Sequence, residues 1–311
     1  MLGRIIEIAE DKRHLSIYRG FMLVKSTGDD HKELGRVPLE DISAVIANAH
    51  GLSYTNNLLV GLAKKGAPFV VCSSNHNAVG MLLPIEGNFE QAHRIEAQIS
   101  STLPLKKKLW TSIVKLKLQN QASVLRSIKC PDAPLLRLAD KVKSGDPLNN
   151  EAQGARIYWK FLFGEAFRRD RKADGLNTLL NYGYTILRAT TARAVIAAGL
   201  HPSIGLHHSN DQNAMRLVDD LMEPFRPIVD FEIWKLNQKG IDTLSPETKK
   251  ILALTMYLDV KTHNGQTPIS IAIQNLATSL ALLFTKEQDK LDLPFIFDPL
   301  DELITDQNII E

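Results

Sequence analysis

The chain has 311 residues, 44% hydrophobic and 23% charged, room for roughly two domains and the make-up of a folded globular protein rather than a disordered or fibrous one. Its longest strongly apolar run near the C-terminus, 280–284, is far short of the roughly 18–20 residues of a membrane span. With Arg4 and Glu7 breaking any apolar leader and Cys72 and Cys130 far apart, a reduced, cytoplasmic, membrane-free setting is expected. The net charge of +2 hides a split: −1 over residues 1–90, +11 over 91–200 and −8 over 201–311. A basic centre of that size asks for a polyanion, and nucleic acid leads, with an ordinary solvated helical surface as the alternative.

The first part of the chain reads as strands. Segments 4–8, 14–18, 21–25 and 42–47 are short, rich in Ile, Val and Tyr, and separated by Asp, Gly and Lys turns. A helix over 55–65 interrupts them, with Leu58, Leu59 and Leu62 on one stripe and Gly66 ending it. Strands over 68–72 and 79–83 close the unit before Pro84. From Asn88 the period becomes helical. Helices are expected over 106–128, 133–143, 149–168, 176–198, 214–222, 246–261 and 268–287. The fold class is therefore α+β, with a small β-rich domain over residues 1–87 and a mostly α-helical domain over 88–311 that ends in an acidic tail.

Three stretches could carry chemistry. Asn149 or Asn150 can cap a helix that holds Glu151 in its first turn, where the helix dipole favours a carboxylate. Ala152, Gly154 and Ala155 keep the neighbouring surface narrow enough for close approach. His201, His207 and His208 lie on a Gly/Pro loop, and at most one of the adjacent pair His207 and His208 can face a given ion. Asp219, Asp220 and Glu223 lie at the C-terminal end of a helix closed by Pro224, where mutual repulsion and the dipole both oppose them unless a cation intervenes. Replacing Glu223 by Gln is then expected to leave stability level or raised. Two carboxylates and one imidazole form a hard donor set suited to Mg²⁺ or Mn²⁺. There is no His-Glu-x-x-His pattern, no cysteine pair for zinc and no phosphate-cradling glycine loop. A divalent ion in a basic helical domain indicates phosphodiester chemistry.

The chain resembles the CRISPR-associated adaptation integrase family, the "Cas one" nucleases, of the type II kind. The resemblance rests on Pro38-Leu39-Glu40-Asp41-Ile42, on Gly66-Ala67-Pro68-Phe69-Val70-Val71, and above all on Gly205-Leu206-His207-His208 followed by Asp219-Asp220-Leu221-Met222-Glu223-Pro224-Phe225-Arg226-Pro227. It implies Glu151, His208 and Glu223 as metal-binding catalytic residues, with Asp220 a possible additional acid. It also implies an N-terminal β-sandwich that dimerises, through residues 1–85 here, and a helical catalytic domain. The partners implied are double-stranded DNA, as spacer precursor and CRISPR repeat, and a small ferredoxin-like protein ("Cas two"). The implied reaction joins a 3′-hydroxyl of a short duplex to a repeat phosphodiester, inserting a new spacer; metal-dependent cleavage is the same chemistry with water.

Lys106, Lys107, Lys108, Lys115, Lys117, Arg168, Arg169, Arg171 and Lys172 are candidates for a phosphate track. Tyr158, Trp159 and Tyr184 are read as core in preference to base-stacking residues. Two alternatives remain at this stage: a structure-selective DNA repair nuclease, and a DNA-binding scaffold without chemistry.

Overall fold

The computed structural model describes residues 3–28, 31–73, 76 and 78–299. The strands are β1 (Arg4–Ile8), β2 (Arg13–Tyr18), β3 (Phe21–Ser26), β4 (Glu33–Pro38), β5 (Ile42–Ala47) and β6 (Leu52–Tyr54), then β7 (Phe69–Cys72) and β8 (Ala78–Leu82) after helix α1 (Asn56–Lys64). They form two four-stranded sheets, ordered β1-β5-β7-β8 and β4-β3-β2-β6. In the first, β1, β5 and β7 run parallel and β8 antiparallel. In the second, β2, β3 and β4 form an antiparallel meander and β6 lies parallel to β2.

The sheets pack face to face around Leu15, Met22, Ile42, Val45 and Phe69, joined by Leu58 and Leu62 of α1. That helix starts where the Thr55 hydroxyl accepts the Leu58 N–H. The opposite face of the first sheet, with Ala44, Ile46, Val70 and Cys72, packs against Ala189 of the helical part. A strand covered on both faces has no reason to alternate, which explains the near-continuous apolar run Ile42-Ser43-Ala44-Val45-Ile46-Ala47.

Past Leu82 the chain is mostly helical: α2 (Gln91–Ser100), α3 (Leu103–Ser127), α4 (Ala133–Lys141), α5 (Asn150–Phe163), α6 (Leu176–Ala197), α7 (Arg216–Met222), α8 (Arg226–Gln238), α9 (Pro246–Leu254) and α10 (Ile269–Phe284). The architecture is thus α+β, a β-sandwich followed by a helical region. One continuous core joins α3, α6, α8 and α10 through residues such as Ile113, Leu180, Phe231 and Leu276. No helix among the described residues is long and apolar enough to cross a membrane.

Several elements depart from the sequence expectation. The helix expected over 149–168 ends at Phe163, because Gly164 adopts φ +95°, a conformation that side-chain-bearing residues avoid. The helix expected over 246–261 ends at Leu254; a 3₁₀ turn then leads into a hairpin of β9 (Asp259–Thr262) and β10 (Gly265–Pro268). Helix α8 was not expected, because Pro224 reads as the end of the preceding helix and no further helix is expected before 246. Pro227 sits in the first turn of α8, where its missing N–H has no partner to lose. Edge strand β4, largely exposed, was also unexpected.

The two parts are tied together by Glu7 of β1. Its Oε1 accepts from Asn48 Nδ2 at 2.6 Å and pairs with Lys249 Nζ at 2.8 Å, while Oε2 accepts from Tyr182 Oη at 2.8 Å. The acidic tail docks on its own helical region as far as it is described. Phe297 is buried, its ring edge-on to Phe231 and its N–H donating to Asn120 Oδ1 at 2.9 Å. The remainder of the tail, 300–311, lies outside the described residues.

Candidate functional site

Helix α5 begins under tight local control. Asp146 accepts from the Asn150 N–H and Nδ2 through Oδ1 and from the Glu151 N–H through Oδ2, while Asn149, in the left-handed region at φ +51°, accepts the Ala152 N–H. The first turn is thereby fixed, and Glu151 points at α3. The close approach allowed by Gly154 is taken by that helix: a Cβ on Gly154 would lie 2.2 Å from Leu118 Cδ2.

Glu223 sits in a 3₁₀ turn, Glu223–Phe225, between α7 and α8, and is buried. Asn120 of α3 fixes this turn by donating Nδ2 to the Pro224 carbonyl at 2.8 Å. Glu151 and Glu223 meet at one cation, the ammonium of Lys117. Lys117 Nζ contacts Glu151 Oε1 and lies 2.5 Å from Glu223 Oε2, with both Lys117 and Glu223 side chains 7% exposed. Arg226 Nε approaches Glu223 Oε1 from the other side at 2.9 Å, and its guanidinium lies over the Tyr184 ring at 4.6 Å.

These charges set one another's ionisation. Burial pushes the Glu223 carboxyl up, but Arg226 and Lys117 outweigh it and hold it at about 2. Burial likewise works against the Lys117 ammonium, and Glu223 and Glu151 override it, holding Lys117 above its ordinary value. Tyr184 Oη donates to Asp230 Oδ1 at 2.5 Å, and burial raises the Asp230 carboxyl to about 7.

The loop before α7 supplies the histidines. Asp220, fully buried, gathers that loop: Oδ2 accepts the N–H groups of Leu206 at 2.6 Å and His207 at 3.2 Å, while Oδ1 accepts the His208 N–H at 3.4 Å and meets His208 Nδ1 at 2.6 Å. Gly205 makes this possible, since a Cβ there would stand 2.9 Å from Asp220 Oδ2. The Asp220 hydrogen bond raises the His208 pKa above its ordinary 6.5 against the opposing effect of burial. With Nδ1 donating to Asp220, the neutral ring keeps its lone pair on Nε2, the arrangement in which a carboxylate orients a ligating imidazole. His207 instead lays its ring flat on Trp110, centroids 4.4 Å apart.

The three neighbouring acids therefore do not face one another. Asp219 forms a two-pronged pair with Arg188 of α6, Nε to Oδ1 at 2.9 Å and the guanidinium NH₂ to Oδ2 at 3.0 Å. Asp220 holds the loop, and Glu223 holds Lys117 and Arg226. With four N–H groups on its oxygens, Asp220 is the support of His208 and of the loop, not a free additional acid.

Lys117 was expected on a solvent-facing phosphate track and is instead buried among the acids. Its spacing carried the signal: Lys117, Asn120, Gln121 and Val124 continue, at helical intervals, the stripe that Leu109, Ile113 and Leu116 begin, so polar residues occupy the inward face of α3. Of the other track candidates, Lys107, Lys108, Arg168, Arg171 and Lys172 are exposed, whereas Arg169 is tied to Asn177 and Asn181. Tyr158 is fully buried, as expected for core; Trp159 stacks on Phe163; Tyr184 belongs to the shell around Arg226.

Glu151, Glu223 and the Nε2 face of His208 are the groups that could hold a hard divalent ion, and their donor chemistry fits Mg²⁺ or Mn²⁺. The arrangement already accepts a positive charge between its carboxylates, in the form of Lys117. In that arrangement no three His, Cys, Asp or Glu side chains among the described residues stand together as a ready metal site.

Residues 6–258 match the family described as CRISPR associated protein Cas1. The chain is 35% identical over 293 residues to a CRISPR-associated endonuclease Cas1 of Neisseria meningitidis serogroup C (strain 8013), covering 93% of this chain and 94% of the relative. The chain belongs to the Cas1 family. Its fold is shared by a casposase bound to integration product, at TM-score 0.78 and 20% identity over 93% of this chain and 92% of the other. A chain of a Cas6-RT-Cas1–Cas2 complex matches at TM-score 0.74 and 18% identity, covering 95% of this Cas1-family chain and 36% of that longer one. In this chain Glu151 and Glu223 meet at Lys117, Arg226 pairs with Glu223, and His208 is held by Asp220.

Proposed function

We propose that this protein is a metal-dependent DNA endonuclease and integrase of CRISPR adaptation, which inserts short duplex fragments as new spacers into a repeat array. The observation that carries this reading is the meeting of Glu151 and Glu223, from separate elements of a Cas1-family chain, at a single buried positive charge. Alongside them, one imidazole is oriented by a buried carboxylate. A buried carboxylate held ionised, with a second acid on the same cation, is a donor set suited to a divalent ion.

Glu151, Glu223 and His208 would hold Mg²⁺ or Mn²⁺, which when bound supplies Lewis-acid activation of the attacking oxygen and neutralises charge on the phosphate. The chain's own residues do the rest. Asp220 fixes the His208 tautomer and ring direction. Arg226 keeps Glu223 ionised and aimed. The exposed Lys107, Lys108, Arg168, Arg171 and Lys172 position the duplex through its phosphates without reading sequence. In strand transfer the 3′-oxygen of the incoming fragment forms a bond to a repeat phosphorus while that phosphorus releases the 3′-oxygen of the repeat strand. One phosphodiester replaces another, so no external energy source is required. With water as nucleophile the same displacement is cleavage. The proposed assembly is a homodimer through the β-sandwich together with the small Cas2-type partner.

The test is a joining assay with the purified protein, its Cas2-type partner, a short duplex labelled near its 3′ ends, a supercoiled plasmid carrying a repeat array, and Mn²⁺ or Mg²⁺. Joined product is expected, together with its loss in Glu151→Gln and its steep decline with salt. Cleavage without joining would favour the repair-nuclease reading. Neither product in either metal, or full activity of Glu151→Gln, would overturn the proposal.

A further inference from the structure

Lys117 lies in the middle of the 25-residue helix α3, between the fully buried Val114 and Leu118. An ammonium carried this far from water needs compensating charge. It has two carboxylates: Glu151 from the first turn of α5 and Glu223 from the turn between α7 and α8. Lys117 is the group that both acids contact. Asp146 and Asn149 fix the start of α5, Asn120 fixes the 3₁₀ turn through Pro224, and the Lys117 head group spans the gap between them. Without it, the buried Glu223 carboxylate and the partly buried Glu151 carboxylate would face each other. Yet these are the carboxylates proposed to hold a divalent ion, and two cations placed between the same pair repel strongly where little water screens them.

We propose that Lys117 is a resident internal counter-ion that holds Glu151 and Glu223 together in the metal-free protein and competes with the divalent ion for them. Metal loading is then an exchange of one cation for another. This inference rests on the reading of Glu151 and Glu223 as metal ligands and adds to it that the chain supplies its own cation to the same pair. Lys117 is on this view a positioning residue. It sets how tightly the metal binds and keeps the acids from splaying when no metal is present.

The test is Mn²⁺ affinity, measured calorimetrically on the full chain without DNA, for the wild type, Lys117→Met, Lys117→Arg, Glu151→Gln and Glu223→Gln. Lys117→Met removes the competing charge and is expected to bind Mn²⁺ at least about tenfold more tightly, while Lys117→Arg, which keeps the charge, stays near the wild-type value. In chelator the Met variant should melt below the wild type, and Mn²⁺ should raise its melting temperature by more than it raises that of the wild type. A merely structural lysine predicts the opposite, since a damaged site binds metal less well. A folded Lys117→Met with unchanged or weaker Mn²⁺ affinity overturns the proposal. If the Met variant does not fold, Lys117→Gln carries the same comparison, because its amide can still donate to a carboxylate. The Glu variants separate the two levels. Wild-type Mn²⁺ binding that is insensitive to both removes the metal reading itself. Binding that needs both acids but is not strengthened by loss of Lys117 removes the latch alone.

Discussion

Glu223→Gln tests the electrostatics of the site without reference to its chemistry. The substitution keeps size and hydrogen-bonding capacity and removes one charge. Counted along its own helix, Glu223 is a third acid beside Asp219 and Asp220, and its loss should leave stability level or raised. In the structure it is buried, paired with Lys117 at 2.5 Å and with Arg226 at 2.9 Å. Its pKa is held at about 2 against an ordinary 4.5, and at 1.36 kcal/mol per unit this is worth about 3 kcal/mol at neutral pH. Because the folded value lies below the unfolded one, the contribution is fully present above pH 4.5 and is lost as pH falls from there toward 2. Denaturant unfolding in chelator should therefore show Glu223→Gln destabilised by about 3 kcal/mol at pH 7, with the gap to wild type narrowing below pH 4.5. A Gln variant as stable as wild type at pH 7, or a difference that does not shrink in acid, would refute the paired-carboxylate reading. Metal-dependent cleavage and joining should fall by orders of magnitude in the same preparation.

Asn120→Ala leaves the Pro224 carbonyl and the Phe297 N–H without their buried partners and should cost about 3 kcal/mol in denaturant unfolding; Asn120→Asp, which keeps the acceptor for Phe297, should retain slow hydrogen exchange at that amide while Asn120→Ala does not. In Asp220→Asn, His208 loses the carboxylate partner that raises its pKa, so its titration followed by NMR should move down toward 6.5. The wild-type pairing of protonated His208 with Asp220 is fully present below pH 6.5 and lost as pH rises through the raised value, so Mn²⁺ affinity should climb across that window and climb at lower pH in the Asn variant. Gly154→Ala, whose Cβ would stand 2.2 Å from Leu118 Cδ2, should cost about 1–3 kcal/mol by forcing α5 from α3, and it should weaken Mn²⁺ binding as well because Glu151 lies one turn earlier on the displaced helix.

The β-rich first part and most helices are legible in the sequence because strand-forming composition and apolar spacing report burial directly, while the sandwich arrangement came from the family resemblance. The short Ile- and Val-rich strands between turns and the stripe on α3 needed no tertiary information. The start of α5 was legible too, since Asn149 is a strong cap. What escaped depends on contacts distant in sequence. Pro224 and Pro227 mark the end of one helix and the first turn of the next alike, and only the packing of Phe231 and Ile233 into the core shows that α8 follows. Of the site, the identities of Glu151, His208 and Glu223 came from motif resemblance. Their partners did not: spacing puts Lys117 on the inward stripe of α3, but Glu223 lies 106 positions away and only the fold brings the two together.

The acids at 219, 220 and 223 show why charge counted along a helix misjudged this region. Asp219 and Asp220 are consecutive and so leave α7 about 100° apart, while Glu223 follows after the helix has tightened into its 3₁₀ turn. Each meets a different element: Arg188 on α6, the loop of Leu206–His208, and Lys117 on α3 with Arg226 on α8. A sum of repulsions along α7 leaves out every one of these cations and N–H donors, and so has the wrong sign. The local excess of acid is better understood as the point at which four parts of the helical domain are tied together. Neutralising one acid should then perturb one tie: Asp219 the α6 contact, Asp220 the histidine loop, and Glu223 the pairing with Lys117 and Arg226.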